Sequence, residues 1–295
     1  MANLKAIKTK INSIKNLKKI TTALEIVSTV KLQKVKAQTE HLKSYFLDLY
    51  YILSHIGDPE IIFGQEETNP RADHYLVVLI STDRWLAGAL NHKLFKKLFD
   101  ELKDQWNNID FFVIGKKGLE FINRSWGNVV GFLDIPDSIE EKHFLPLMEY
   151  IYDSIKQGKY QKILSYFNFF KNVVVQIPAS LNIYPLDLKA FEDLQVDLSI
   201  NLEAKPESKK DFLIEPDLPT VIKEFKRQVV NYLIMASILQ NKTWEFASRM
   251  LAMKNAKDNS TAMIKDLTLI FNKERQAKIT QEVSEIVSAK EAIEW

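Results

Sequence analysis

Neither end of this chain contains a glycine or a proline. All eight glycines fall between Gly57 and Gly158, and all nine prolines between Pro59 and Pro219. Residues 1–56 and 220–295 therefore lack the two strongest helix breakers. In the first stretch Leu4, Ile7, Ile11, Ile14, Leu17, Ile20, Leu24, Val27 and Val30 recur at spacings of three and four, which predicts one apolar face of a helix. In the last, Val221, Phe225, Val229, Tyr232 and Ala236 repeat the pattern, followed by Phe246, Met250, Met253, Ile264, Leu267 and Phe271. Asp217 before Leu218-Pro219 predicts the N-cap, with proline just inside the helix. At 1.5 Å per residue the C-terminal helix would extend on the order of 100 Å, too far to be buried by a domain of this size. The two ends are expected to bury their stripes on each other as an antiparallel coiled coil, with the C-terminal helix overhanging its partner. The polar stretch Asn272–Gln276 interrupts the stripe for longer than one turn and is expected on or near that overhang.

The middle of the chain has a different period. "HYLVVLIS" (74–81), "IDFFVIG" (109–115) and "VVGFL" (129–133) are short apolar runs. Each precedes a helical pattern, over Ala89–Leu102, Lys116–Asn123 and Ile139–Gln157. Strand and helix in alternation predict a parallel sheet with crossover helices. "KILSYFNFF" and "VVVQIPASLNIYP" add two strands joined hairpin-like at Lys171-Asn172, and residues 186–211 read as an acidic surface loop. The expected class is α/β: a long antiparallel coiled coil plus a Rossmann-like domain. Its boundaries are 1–56 for the N-terminal shaft helix, 57–219 for the globular domain and 220–295 for the C-terminal shaft helix.

Charge and chemistry narrow the function. There is no cysteine and the net charge is only +2, but residues 1–36 carry nine lysines against the single acid Glu25. A nucleic-acid partner is not expected, because no aromatic precedes Tyr45 and no arginine precedes Arg71. "MANLKAIKTK" has no apolar signal core, and no run of apolar residues is long enough to insert into a bilayer. After the first strand comes "STDRWLAGALN", with one glycine where a dinucleotide fingerprint needs three. "GKKG" (115–118) has the wrong spacing for a phosphate loop, and no nucleophile elbow exists. "STVK" (28–31) lies mid-helix, and the five histidines are scattered without metal spacing. No catalytic, cofactor or metal site is expected on this chain.

Two long segments carry a resemblance. "RMLAMKNAKDNSTAMIKDLTLIFNKERQAKITQEVSEIV" (249–287) closely resembles the C-terminal helix of the gamma subunit of F-type ATP synthases. "KAIKTKINSIKNLKKITTALEIVSTVKLQK" (5–34) is similar to that family's N-terminal helix, with Leu24 at the place of a usual methionine. Ser81, Asp83, Arg84, Leu86, Gly88 and Asn91 match its segment after the first strand, and "FLIEP" (212–216) its run into the last helix. The resemblance implies a rotor shaft inside a ring of alpha and beta subunits, with catalysis on beta. It places the globular foot near an epsilon-like subunit and a membrane rotor ring, without direct insertion into the membrane. It implies beta-subunit contacts through Arg275, Gln276, Thr280 and Glu282, with Leu24 and Glu25 on the facing helix, and a foot segment of Asp83, Arg84, Trp85 and Asn91. The implied location is peripheral, on the cytoplasmic face of a bacterial membrane.

Trp85, Ala87 and Ala89 replace that family's small residues, and the tip "SAKEAIEW" is charged where the family is small and apolar. These departures motivate a second expectation, a repurposed motor with the same shaft and no proton channel. A coiled-coil scaffold is the alternative of another class.

Overall fold

A computed structural model describes residues 2–56, 74–83, 90–170, 172, 176–186 and 214–293. In chain order its elements are α1 (Ala2–Ile56), β1 (Tyr75–Ile80), α2 (Leu90–Leu102), β2 (Ile109–Ile114), α3 (Lys116–Arg124), β3 (Asn128–Leu133), α4 (Leu145–Lys156), β4 (Lys162–Phe170), β5 (Gln176–Tyr184) and α5 (Leu218–Ile293). The two breaker-free ends are each one unbroken helix, of 55 and 76 residues. Asp217 caps α5 as expected: Oδ1 accepts the Thr220 amide at 2.9 Å, and Oδ2 accepts the Thr220 hydroxyl at 3.0 Å. The expected surface loop lies outside the described residues except for Leu186, as do Arg84, Trp85 and strand residues 173–175. The helix expected from Ile139 begins only at Leu145, after a 3₁₀ turn at Glu141–His143. Pro146 sits in its first turn, where a missing amide costs nothing.

By internal packing the chain divides into two units, residues 30–248 and residues 1–29 with 249–295. In the first unit the sheet order is β3-β2-β1-β4-β5. The pairs β1–β2, β1–β4 and β2–β3 are parallel, and β5 closes one edge antiparallel to β4. Val77 and Leu79 of β1 with Phe111 and Val113 of β2 pack on Leu94, Leu98 and Ile122 of α2 and α3. On the other face Phe112 meets Tyr150 of α4, ring centres 5.7 Å apart. Burial on both faces explains why these strands read as continuous apolar runs. Still within this unit, α1 and α5 run antiparallel: Phe46 packs on Tyr232 at 5.3 Å, and Lys31 lies over Phe246. Every residue of α5 from Ala236 to Ser248 is buried, so this stretch has no solvent face.

The second unit pairs the start of α1 with the remainder of α5. Their register is marked by Lys257 Nζ, 2.7 Å from Glu25 Oε2. The expected apolar stripe of α1 is corrected here. Its seam runs through Leu4, Ile7, Ile11, Ile14, Lys18, Thr21, Glu25 and Ser28 in alternating steps of three and four, a coiled-coil period, with Thr22, Leu24 and Thr29 part-buried beside it. Leu17, Ile20 and Val27, counted into the stripe by sequence, are about half exposed (51%, 57% and 48%). A stripe followed by steps of three drifts around the helix, whereas the real seam passes through small polar residues. Thr21 and Ser28 are buried on α1, and Ser260 on α5. Thr21 and Ser260 return their hydroxyls to backbone carbonyls of their own helices, at 3.0 and 2.7 Å, so burial leaves them satisfied.

Candidate partner surfaces and the carboxyl end of the sheet

The residues expected to contact a catalytic ring lie in the two-helix unit. Arg275, Gln276, Thr280 and Glu282 are all exposed on α5. Thr280 donates its hydroxyl to the Gln276 carbonyl at 3.0 Å, and Glu282 lies 3.5 Å from Lys278. Gln276 and Thr280 are one turn apart on one face; Arg275 and Glu282, seven residues apart, share the next. The structure does not bring Leu24 and Glu25 to them. Glu25 is level with Lys257, and Arg275 lies 18 residues further along α5, about 27 Å at helical rise. Glu25 is also already engaged, since its carboxylate is held by Lys257 in the seam. The expected surface is therefore two surfaces at different heights.

Continuing the Glu25–Lys257 register puts Ala2 level with about residue 280 of α5. Beyond that point α5 has no facing helix among the described residues, and residues 279–290 are all exposed. Ile279, Val283 and Ile286 nonetheless stack at spacings of four and three, between 52% and 69% exposed. Together with Leu17, Ile20 and Val27 they form apolar surface that this chain does not cover.

Of the foot-segment residues, Asp83 and Asn91 are described, and they lie in the other unit at the carboxyl end of β1 and the start of α2. In open parallel sheets ligands bind there, where neighbouring strands lead off in opposite directions. Here that place, between β1 and β4, is filled. β4 outruns β1, and its amides at Asn168 and Phe170 have no β1 partner. They donate instead to Asn241 Oδ1 and Gln240 Oε1 of α5, both at 3.2 Å. Asp83 sits beside them as a bridge. One carboxylate oxygen accepts the Lys116 amide at the start of α3, at 3.1 Å; the other lies 3.4 Å from Lys242 Nζ. Lys242 is only 2% exposed and also faces Glu245, at 3.6 Å. A charge so buried requires compensation, and two carboxylates from two elements supply it. Asn91 donates to Thr82 Oγ1 at 2.8 Å, tying the start of α2 to the end of β1.

The "GKKG" stretch has a packing role. Gly115 has φ +93°, and a Cβ there would fall 2.5 Å from the Ser81 carbonyl oxygen. The Gly118 amide donates to Ser81 Oγ at 2.7 Å. Strand end and helix start are thus pressed together, leaving no phosphate cradle.

Comparison with known proteins matches this architecture throughout. A family model described as ATP synthase matches residues 3–293. The ATP synthase gamma chain of Xanthomonas campestris pv. campestris (strain B100) is 33% identical over 301 residues, covering 99% of this chain and all of that one. This chain belongs to the ATP synthase gamma-chain family. The gamma chain of Stenotrophomonas maltophilia is 32% identical over the same share of each chain. Among solved structures, a chain of the Euglena gracilis mitochondrial ATP synthase OSCP/F1/c-ring assembly aligns with TM-score 0.64 at 16% identity, covering 99% of this chain and 95% of that one. A chain of the Euglena rotor structure aligns with TM-score 0.61 at 16% identity, covering 94% and 99%. At such identity these structures establish a shared fold.

For a gamma chain, the residues that sequence reasoning missed are Gln240, Asn241 and Lys242. They sit in "LIMASILQNKTWEFAS", where Ser237, Asn241, Glu245 and Ser248 fall on one helix face and read as a solvent-facing polar stripe. Their burial in the structure means that the polar side chains there need partners within the chain.

Proposed function

We propose that this gamma chain is the central rotor shaft of a rotary ATP synthase, a subunit without catalysis of its own that imposes asymmetry on catalytic beta subunits and passes torque to them. The observation that carries the reading is the end of α5. Beyond the reach of α1 it remains helical and presents an apolar row beside Arg275, Gln276 and Thr280. A contiguous apolar row left exposed on a helix marks a surface for another chain. The exposed polar groups suit a partner contacted in some states and released in others, since only differential contacts shift an equilibrium. Arg275, Gln276 and Thr280, with Glu282 nearby, form charge-assisted hydrogen bonds with one beta conformation. Leu24 and its neighbours serve a lower level of the same ring. The globular unit is the foot, meeting an epsilon-like subunit and a membrane rotor ring. Among the described residues no helix is long and apolar enough to cross a membrane, in keeping with peripheral attachment.

Co-purification at native expression tests the assembly: alpha- and beta-like chains should be recovered in molar excess over this one. In the assembled complex Arg275→Ala with Gln276→Ala should lower ATPase turnover about tenfold, the effect of losing one charge-assisted hydrogen bond, while the complex stays intact. Unchanged turnover would remove the contact role; absence of the ring subunits would remove the rotor reading.

A further inference from the structure

At the opposite end of the sheet from Asp83, a groove of about 710 Å³ opens between the end of β5, the last turn of α4 and the early turns of α5. Its size falls within the range of small-molecule sites. Tyr152, Tyr184 and Val230 give it apolar lining, and its charged lining is Lys156, Lys223, Lys226 and Arg227 against the single carboxylate of Glu224. The apolar lining is built firmly. Tyr152 donates to the Arg227 carbonyl at 3.0 Å and also bonds Asn231. Burial, partly offset by Arg227, pushes its phenol up to about 12, so the ring stays neutral. The Arg227 guanidinium lies 4.9 Å from the Tyr152 ring centre, an arrangement that orients the cation over an aromatic face.

Two of the lining charges are placed against the helix's own interest. Lys223 and Arg227 are four apart on one face of α5, a spacing at which like charges destabilise a helix. Glu224 answers Arg227 only at 3.8 Å. Among the described residues neither Lys156 nor Lys223 pairs with a carboxylate. An arrangement unfavourable to the isolated chain is relieved by a ligand that brings negative charge.

We propose that this groove binds a nucleotide, with its phosphates on Lys156, Lys223 and Arg227 and its base in the well against Tyr152, Tyr184 and Val230. The site is separate from the strand ends where nucleotides meet doubly wound sheets, and it does not depend on the rotor reading. Calorimetry on the full-length chain should show binding of ADP, with pyrophosphate and adenosine each at least about tenfold weaker because each satisfies one half of the site. Lys223→Gln with Arg227→Gln should reduce ADP affinity to that of adenosine. Tyr184→Ala should reduce it to that of pyrophosphate. Lys103→Gln, a remote surface change, should leave it unaltered. Thermal melts confirm that each variant is folded. No ADP binding, binding unmoved by the groove variants, or pyrophosphate binding as tightly as ADP would each overturn the proposal.

Discussion

The two units use the same helices in opposite ways. In residues 30–248, α5 is wrapped on all sides from Ala236 to Ser248, and even its polar residues have work inside the chain: Gln240 and Asn241 complete the hydrogen bonding of β4, while Lys242 joins Asp83 to Glu245. In the two-helix unit the burial is mixed. Ile11 and Met253 are buried, but Thr21, Ser28 and Ser260 share the seam with them, and Leu17, Ile20, Val27, Ile279 and Ile286 face outward. Small seam residues let two helices approach closely, but they bury little apolar area and so contribute little stability of their own. The first unit closes its core with its own chain; the second leaves an apolar row exposed.

Three measurements sharpen or break that contrast. The largest effect is expected at Lys242. Lys242→Met leaves Asp83 and the buried Glu245 without their shared cation and should destabilise the full-length chain by about 3 kcal/mol in denaturant unfolding. Adding Glu245→Gln should recover part of this loss. A single variant as stable as the parent would mean that the buried charges do not hold the globular unit together. A much smaller effect is expected from three substitutions on the overhang: Ile279→Gln, Val283→Gln and Ile286→Gln should each change the isolated chain's stability by no more than about 0.5 kcal/mol. A loss of several times that would show that the row is covered within the chain. The smallest effect concerns pH. Burial acts to raise the Asp110 carboxyl, but hydrogen bonds from Tyr160 at 2.6 Å and Asn128 at 2.7 Å, with Lys159 nearby, outweigh it and hold it below its ordinary value of 3.8. A depressed carboxyl stabilises the fold above its unfolded pKa, and the contribution disappears as pH falls through the folded one. Asp110→Asn should therefore flatten the acid limb of a stability-versus-pH curve below about pH 4 and leave the two-helix unit unaffected. A limb of unchanged slope would assign acid sensitivity elsewhere.

Much of the fold was legible because it rests on local rules. The absence of glycine and proline predicted two unbroken helices, Asp217 predicted a cap, and apolar runs between turn residues predicted five strands in the right class of sheet. Misreadings arose where a local rule had more than one continuation. From Ile14 the stripe can step to Leu17 or to Lys18, and hydrophobicity favours the former, while the coiled coil takes the latter because only a 3.5-residue repeat keeps facing the same partner. The candidate contact residues were recognised by resemblance, yet their heights on the shaft were not. Leu24 and Arg275 are tied only through the antiparallel register, and a sequence does not display a register set by side chains more than 200 positions apart.

By itself, then, the amino-acid order determined which segments are helix or strand, and that no familiar catalytic motif is present. These depend on backbone freedom and side-chain type, which each residue carries with it. Only the tertiary structure decided that Lys242 is an internal tie rather than a surface charge, that the switch point of the sheet is closed by α5, and that Ser28 is inside while Val27 is outside. Burial is a property of what lies opposite a side chain, and what lies opposite is decided by packing between distant parts of the chain.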